Sequence, residues 1–100
     1  MHKNNFLKYI EFEKRYSKHT LISYNTDLTQ FFTFLDVEYD ISDISEVSHQ
    51  IIRSWISSML DGGISSRSVN RKITTLKSFY KYLMQEDEVV ENLTQKIVSL

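Results

Sequence analysis

Apolar side chains recur along the chain at three- and four-residue spacing in four stretches, each bounded by polar residues. A stripe of that period marks an amphipathic helix burying one face. The first stretch, about residues 4–15, sets Phe6, Leu7 and Ile10 on one side. The second, about 18–36, aligns Leu21, Tyr24, Leu28, Phe31, Phe32 and Leu35. The third, about 49–61, aligns Ile52, Trp55, Ile56, Met59 and Leu60. The fourth, about 66–84, aligns Val69, Ile73, Leu76, Tyr80 and Leu83, with Phe79 at the edge of the stripe.

Three of the four starts share one bracket. Ser17, Ser48 and Ser65 are preceded by Tyr16, Val47 and Ile64 and followed four residues on by Leu21, Ile52 and Val69. That is a serine N-cap with an apolar pair closing over it. Gly62-Gly63 offers the left-handed residue that stops the third helix, and Lys14-Arg15 suit the negative end of the first helix's dipole. Residues 37–47 read as an acidic loop, and 89–100 as a connection or a short extra helix. The pattern predicts an all-α fold, a compact four-helix bundle in one domain of residues 1–100, with Leu28, Phe32, Trp55, Ile73, Leu76 and Tyr80 in its core.

The second and fourth stretches also match each other. Ser17, Thr20, Leu21, Leu28, Phe31, Phe32, Phe34 and Leu35 stand at the same offsets as Ser65, Ser68, Val69, Leu76, Phe79, Tyr80, Tyr82 and Leu83. Either two serine-capped amphipathic helices look alike for generic reasons, or two equivalent helices have equivalent roles.

Composition narrows the chemistry. Proline is absent and the only glycines are the pair at 62 and 63, which leaves little to punctuate strands. Without cysteine there is no disulfide, thiolate zinc site or thiol nucleophile, as suits a reducing cytoplasm. His2, His19 and His49 lie too far apart in sequence for a metal-ligand motif, and the chain contains no glycine-rich phosphate loop, so neither metal nor cofactor is expected. No apolar run approaches the roughly 20 residues of a membrane span, so a soluble cytoplasmic chain without membrane association is expected.

A formal net charge of −1 conceals an uneven distribution. The fourth stretch holds Arg67, Arg71, Lys72, Lys77 and Lys81 and no acidic residue, leaving seven basic against thirteen acidic residues elsewhere. At about 100° per residue, Arg67, Asn70, Arg71, Thr74, Lys77, Ser78 and Lys81 fall together opposite Val69, with Lys72 to the side. Cations interleaved with short hydrogen-bonding side chains suit close approach to a phosphate backbone. A solvated face more often carries acidic partners at i,i+4 spacing. The second stretch turns outward a polar, nearly uncharged row of His19, Ser23, Thr26, Gln30 and Thr33, with Lys18, Thr20 and Asn25 alongside. Hydroxyls and free N–H groups near a helix N-terminus can bind phosphates, and Gln can reach base edges; the alternative for this row is a plain solvent face.

Laid out this way, the chain resembles the N-terminal SAM-like, core-binding domain of tyrosine recombinases, the group that includes phage integrases and Xer proteins. The resemblance covers about residues 5–97. It rests on Ser17-Lys18-His19-Thr20 with Tyr24, Asp27-Leu28 and Phe31 to Leu35, and more specifically on the run from Gly63 to Tyr80. It implies a helical module that grips one side of a recombination site while a separate catalytic domain covers the other. It also implies double-stranded DNA and further recombinase subunits as partners. Thr20, Thr26, Arg67, Asn70, Arg71 and Lys77 are then the leading contacts, within a set completed by Ser23, Gln30, Thr74, Ser78 and Lys81. The sequence departs from the family at Asn25-Thr26, where basic residues are frequent, and at Leu93, where proline is usual. The family's nucleophilic tyrosine and its activating arginine, lysine and histidine belong to the catalytic domain, so no catalytic residue is expected here and the six tyrosines read as core or groove-edge side chains. The competing reading is a helical protein-interaction module without a nucleic-acid role, docking an acidic partner on the basic stripe or an apolar one through exposed aromatics.

Overall fold

The computed structural model describes residues 2–100. Among them it shows four α-helices, α1 (Lys3–Phe12), α2 (Lys18–Tyr39), α3 (His49–Asp61) and α4 (Ser66–Gln85). One turn of 3-10 helix, Ile44–Glu46, precedes α3, and the described residues contain no strand. The chain is all-α, as the hydrophobic periodicity predicts. It divides into two compact units, the first ending at Ser42 and the second spanning Asp43–Leu100.

In the first unit, α1 and α2 meet through aromatic side chains. The Phe6 and Tyr24 rings stack with centroids 6.0 Å apart, and Tyr16 meets Tyr24 edge to face at 5.9 Å. Lys3 Nζ adds a 3.1 Å hydrogen bond to Thr29 Oγ1. Phe6, Ile10, Leu28, Phe31 and Leu35 are buried, and so is Asp27, which no hydrophobic pattern marks. Phe32, expected in the core, is only half-buried.

The second unit is built on α3 and α4. Ile52, Trp55 and Met59 are buried on α3, whereas Leu60 at its end is exposed. Helix α4 buries half its circumference: Val69, Ile73, Leu76, Tyr80 and Leu83 as expected, together with Lys72, Thr75, Phe79 and Tyr82. Residues 86–100 form no extra helix. They run as turns, held where Asn92 Oδ1 accepts from the Thr94 N–H and hydroxyl at 2.9 and 2.6 Å. Thr94 and Ile97 are buried. His49 fastens the same segment: Arg53 Nε donates to its Nε2 at 2.8 Å, so the ring proton sits on Nδ1 and points at the Leu93 carbonyl, 3.1 Å away.

Helix limits follow from cap chemistry. The hydroxyls of Ser17, Ser48 and Ser65 accept from the N–H groups of Thr20, Ile51 and Ser68, so all three serine caps are present. Of the residues preceding them only Val47 is buried, Tyr16 and Ile64 being exposed. At the other ends, a left-handed residue closes every helix: Arg15 (φ 56°), Asp40 (φ 52°), Gly63 (φ 86°) and Asp87 (φ 56°). After α3 and α4 the closure is a Schellman turn, with Ile64 N–H bonded to the Met59 carbonyl and Glu88 N–H to that of Leu83. After α1 and α2 it is one residue wider, Tyr16 N–H reaching Ile10 and Ile41 N–H reaching Leu35. Helix α1 therefore stops at Phe12, so Lys14 and Arg15 lie past its last turn, while α2 continues through Val37 to Tyr39, three residues beyond its expected end.

The likeness between α2 and α4 extends to local structure. Ser17 and Thr20 share a hydroxyl contact of 3.0 Å, as Ser65 and Ser68 do at 3.2 Å. Buried polar residues also correspond, Asp27 in α2 and Thr75 in α4.

Candidate nucleic-acid interface

On α4 the arc opposite the buried half carries all seven predicted residues. Arg67, Arg71, Thr74 and Lys81 are exposed, and Asn70, Lys77 and Ser78 are half-buried at its margins. Arg67, Arg71, Lys77 and Lys81 are separated by four, six and four residues, so at about 1.5 Å of rise per residue the row from Arg67 to Lys81 is about 20 Å long. No carboxylate lies on this helix, and hence none is at i,i+4 spacing to neutralise the row from within.

Lys72 lies deeper than the sequence pattern sets it. It is 5% exposed and sits within the buried arc rather than to the side, so of the five basic residues of α4 the four expected on the face are the ones it carries. The hydrogen-bonding capacity of the face is also partly committed. Thr74 Oγ1 donates to the Asn70 carbonyl at 3.1 Å, leaving its oxygen to accept only. The Asn70 side chain is engaged at both ends: Oδ1 accepts from the Leu100 N–H at 2.7 Å and Nδ2 donates to the Leu100 backbone oxygen at 3.1 Å. Nothing in the sequence marks that pairing, since the partners are 30 positions apart and neither is part of a motif.

On α2, Thr26 and Gln30 are exposed and Ser23 is half-buried along one face, as expected. Thr20 is half-buried and belongs to the cap, where its N–H bonds the Ser17 hydroxyl at 3.2 Å. Among the described residues no group of three or more His, Cys, Asp or Glu side chains is arranged to hold a metal ion. No helix among the described residues is long and apolar enough to cross a membrane.

The chain belongs to the phage integrase N-terminal SAM-like domain family, whose model matches residues 4–87. It is similar to tyrosine recombinase XerC of Bacillus subtilis, 36% identical over 92 residues that make up 92% of this chain and 30% of that protein. It is 38% identical to XerC of Anoxybacillus flavithermus over 89 residues (89% of this chain, 29% of that protein) and 40% identical to XerC of Staphylococcus saprophyticus over 87 (87% and 29%). The chain thus spans under a third of the length of these relatives. No solved structure matches it.

Proposed function

We propose that this chain is the DNA-gripping N-terminal domain of a tyrosine-type site-specific recombinase, a non-catalytic module that clamps a recombination site for a separate catalytic domain. The observation that carries this reading is the exposed arc of α4, where four cations and short polar side chains occur without an acidic residue. A B-DNA major groove is about 12 Å wide, so a row of about 20 Å spans it and reaches the phosphates on both walls. Arg67, Arg71, Lys77 and Lys81 supply charge to those phosphates. Asn70, Thr74 and Ser78 lie between them within reach of sugars and base edges, and Thr20, Ser23, Thr26 and Gln30 contribute a polar contact surface on α2. Further recombinase subunits would be its partners in the whole protein, with the bacterial cytoplasm its place of action.

Most of the affinity is then electrostatic. With about four phosphates neutralised, log affinity falls against log salt with a slope of about −3 to −4. Replacing Arg67, Arg71 or Lys77 by Ala lowers affinity and shallows that slope by about one unit for each phosphate no longer neutralised. Lys3, Lys14 and Lys96 lie off this face, and their Ala variants leave binding nearly unchanged. Duplex titrations at several salt concentrations, with circular dichroism to verify folding, measure both. A flat salt response, or equal losses from the two sets, would refute the assignment and favour a protein-docking role.

A further inference from the structure

The segment after Ile97 lies against α4, and the way it is held bears on how that helix meets DNA. Ile97 is buried and its N–H bonds the Thr94 carbonyl at 3.0 Å, so it forms a fixed point. Beyond it, Val98 is 80% and Leu100 57% exposed, and the Leu100 backbone is held at both its polar atoms by the Asn70 carboxamide. Residues 98–100 are therefore fastened by two exposed hydrogen bonds more than by apolar burial.

The carboxamide has one edge on which an acceptor and a donor stand side by side. Leu100 uses that edge, offering its N–H to Oδ1 and its backbone oxygen to Nδ2. Adenine presents the same pair in the major groove, an N6–H donor beside the N7 acceptor, and a bidentate Asn contact to it needs the same edge. The two partners exclude each other. Neighbouring cations are under no such constraint, because Arg67 and Lys81 lie elsewhere on the exposed arc and contact phosphates as point charges or forks.

We propose that residues 98–100 are a strap that masks the hydrogen-bonding edge of Asn70, so that base contact by Asn70 and docking of Leu100 are alternatives. This rests on the reading of α4 as the DNA-facing helix. Phosphate contacts then form with the strap in place, and contact to a base edge releases it. Two exposed hydrogen bonds of ordinary strength limit the effect: the strap weakens binding about three- to tenfold relative to a chain in which it cannot dock.

The test uses the full chain and a duplex of about three helical turns selected from randomised sequences for tightest binding. Leu100→Pro removes the N–H that Asn70 accepts, leaving α4 untouched. Its affinity is expected to rise about three- to tenfold, and the rise is expected to vanish in an Asn70→Ala background. Amide hydrogen exchange at Leu100, followed by NMR, is expected to accelerate when the duplex saturates the protein. If Arg67→Ala and Lys81→Ala weaken binding while Leu100 exchange stays slow at saturation, or while Leu100→Pro binds like the parent, the strap is overturned and the DNA face stands. If the Arg67 and Lys81 variants bind like the parent, the DNA face is overturned and the strap with it.

Discussion

Tyr80 has a fully buried side chain whose hydroxyl finds no hydrogen-bond partner among the described residues, and burial pushes its phenol pKa well above the ordinary value. Removing the oxygen relieves that desolvation without opening a large void, so Tyr80→Phe should leave stability unchanged or raise it by up to about 1 kcal/mol in urea unfolding. The shift also sets a pH dependence. With the folded value above the unfolded one, Tyr80 contributes nothing to pH dependence below about pH 10, and stability is lost above it as the unfolded chain ionises first. The alkaline unfolding midpoint should therefore move upward in Tyr80→Phe, as read by circular dichroism against pH; an unmoved midpoint would place the limiting group elsewhere. Lys72 and Asn70 show what single residues conceal in sequence. The sequence pattern sets Lys72 only to the side of the charged arc, whereas in the fold it is buried on the same arc as Leu76, Phe79 and Leu83. Asn70 is legible as an outward polar residue, whereas its commitment to Leu100 depends on where the chain returns.

Among the elements, starts are more legible than ends. A serine N-cap acts through its own side chain on a backbone N–H three residues away, so residue type and spacing contain the whole interaction. Ser65→Ala should cost about 1 kcal/mol and Ser66→Ala much less, measured by thermal or urea unfolding. The ends are different, because a left-handed residue announces itself only when it is glycine. Gly63 does so, but Arg15, Asp40 and Asp87 adopt the same region with a side chain present, held there by the backbone hydrogen bonds of the closing turns. For that reason the sequence pattern sets the end of α1 too late and that of α2 too early. Asp87→Gly removes the steric penalty of the left-handed region and should stabilise the protein by about 0.5 kcal/mol, provided the Glu88 to Leu83 closure is kept. A destabilised Asp87→Gly variant would show that the carboxylate itself supports the turn.

For the whole molecule, near-neutral net charge is a poor guide and its distribution a good one. The all-α class and the basic arc are both legible, because periodicity and the absence of acidic residues from α4 are local properties. The course of residues 86–100 is not, since it is fixed by distant partners such as His49 and Asn70. The burial of Lys72 gives the molecule a built-in reference for amine chemistry. An acylating reagent should modify exposed Lys81 readily, Lys77 more slowly and Lys72 hardly at all while the fold is intact, although all three lie on one helix. Mass spectrometry of the digested product then separates two events that a binding curve merges. Duplex bound on α4 should shield Lys77 and Lys81 and leave Lys72 as silent as before, whereas a preparation that has begun to unfold betrays itself by a label on Lys72.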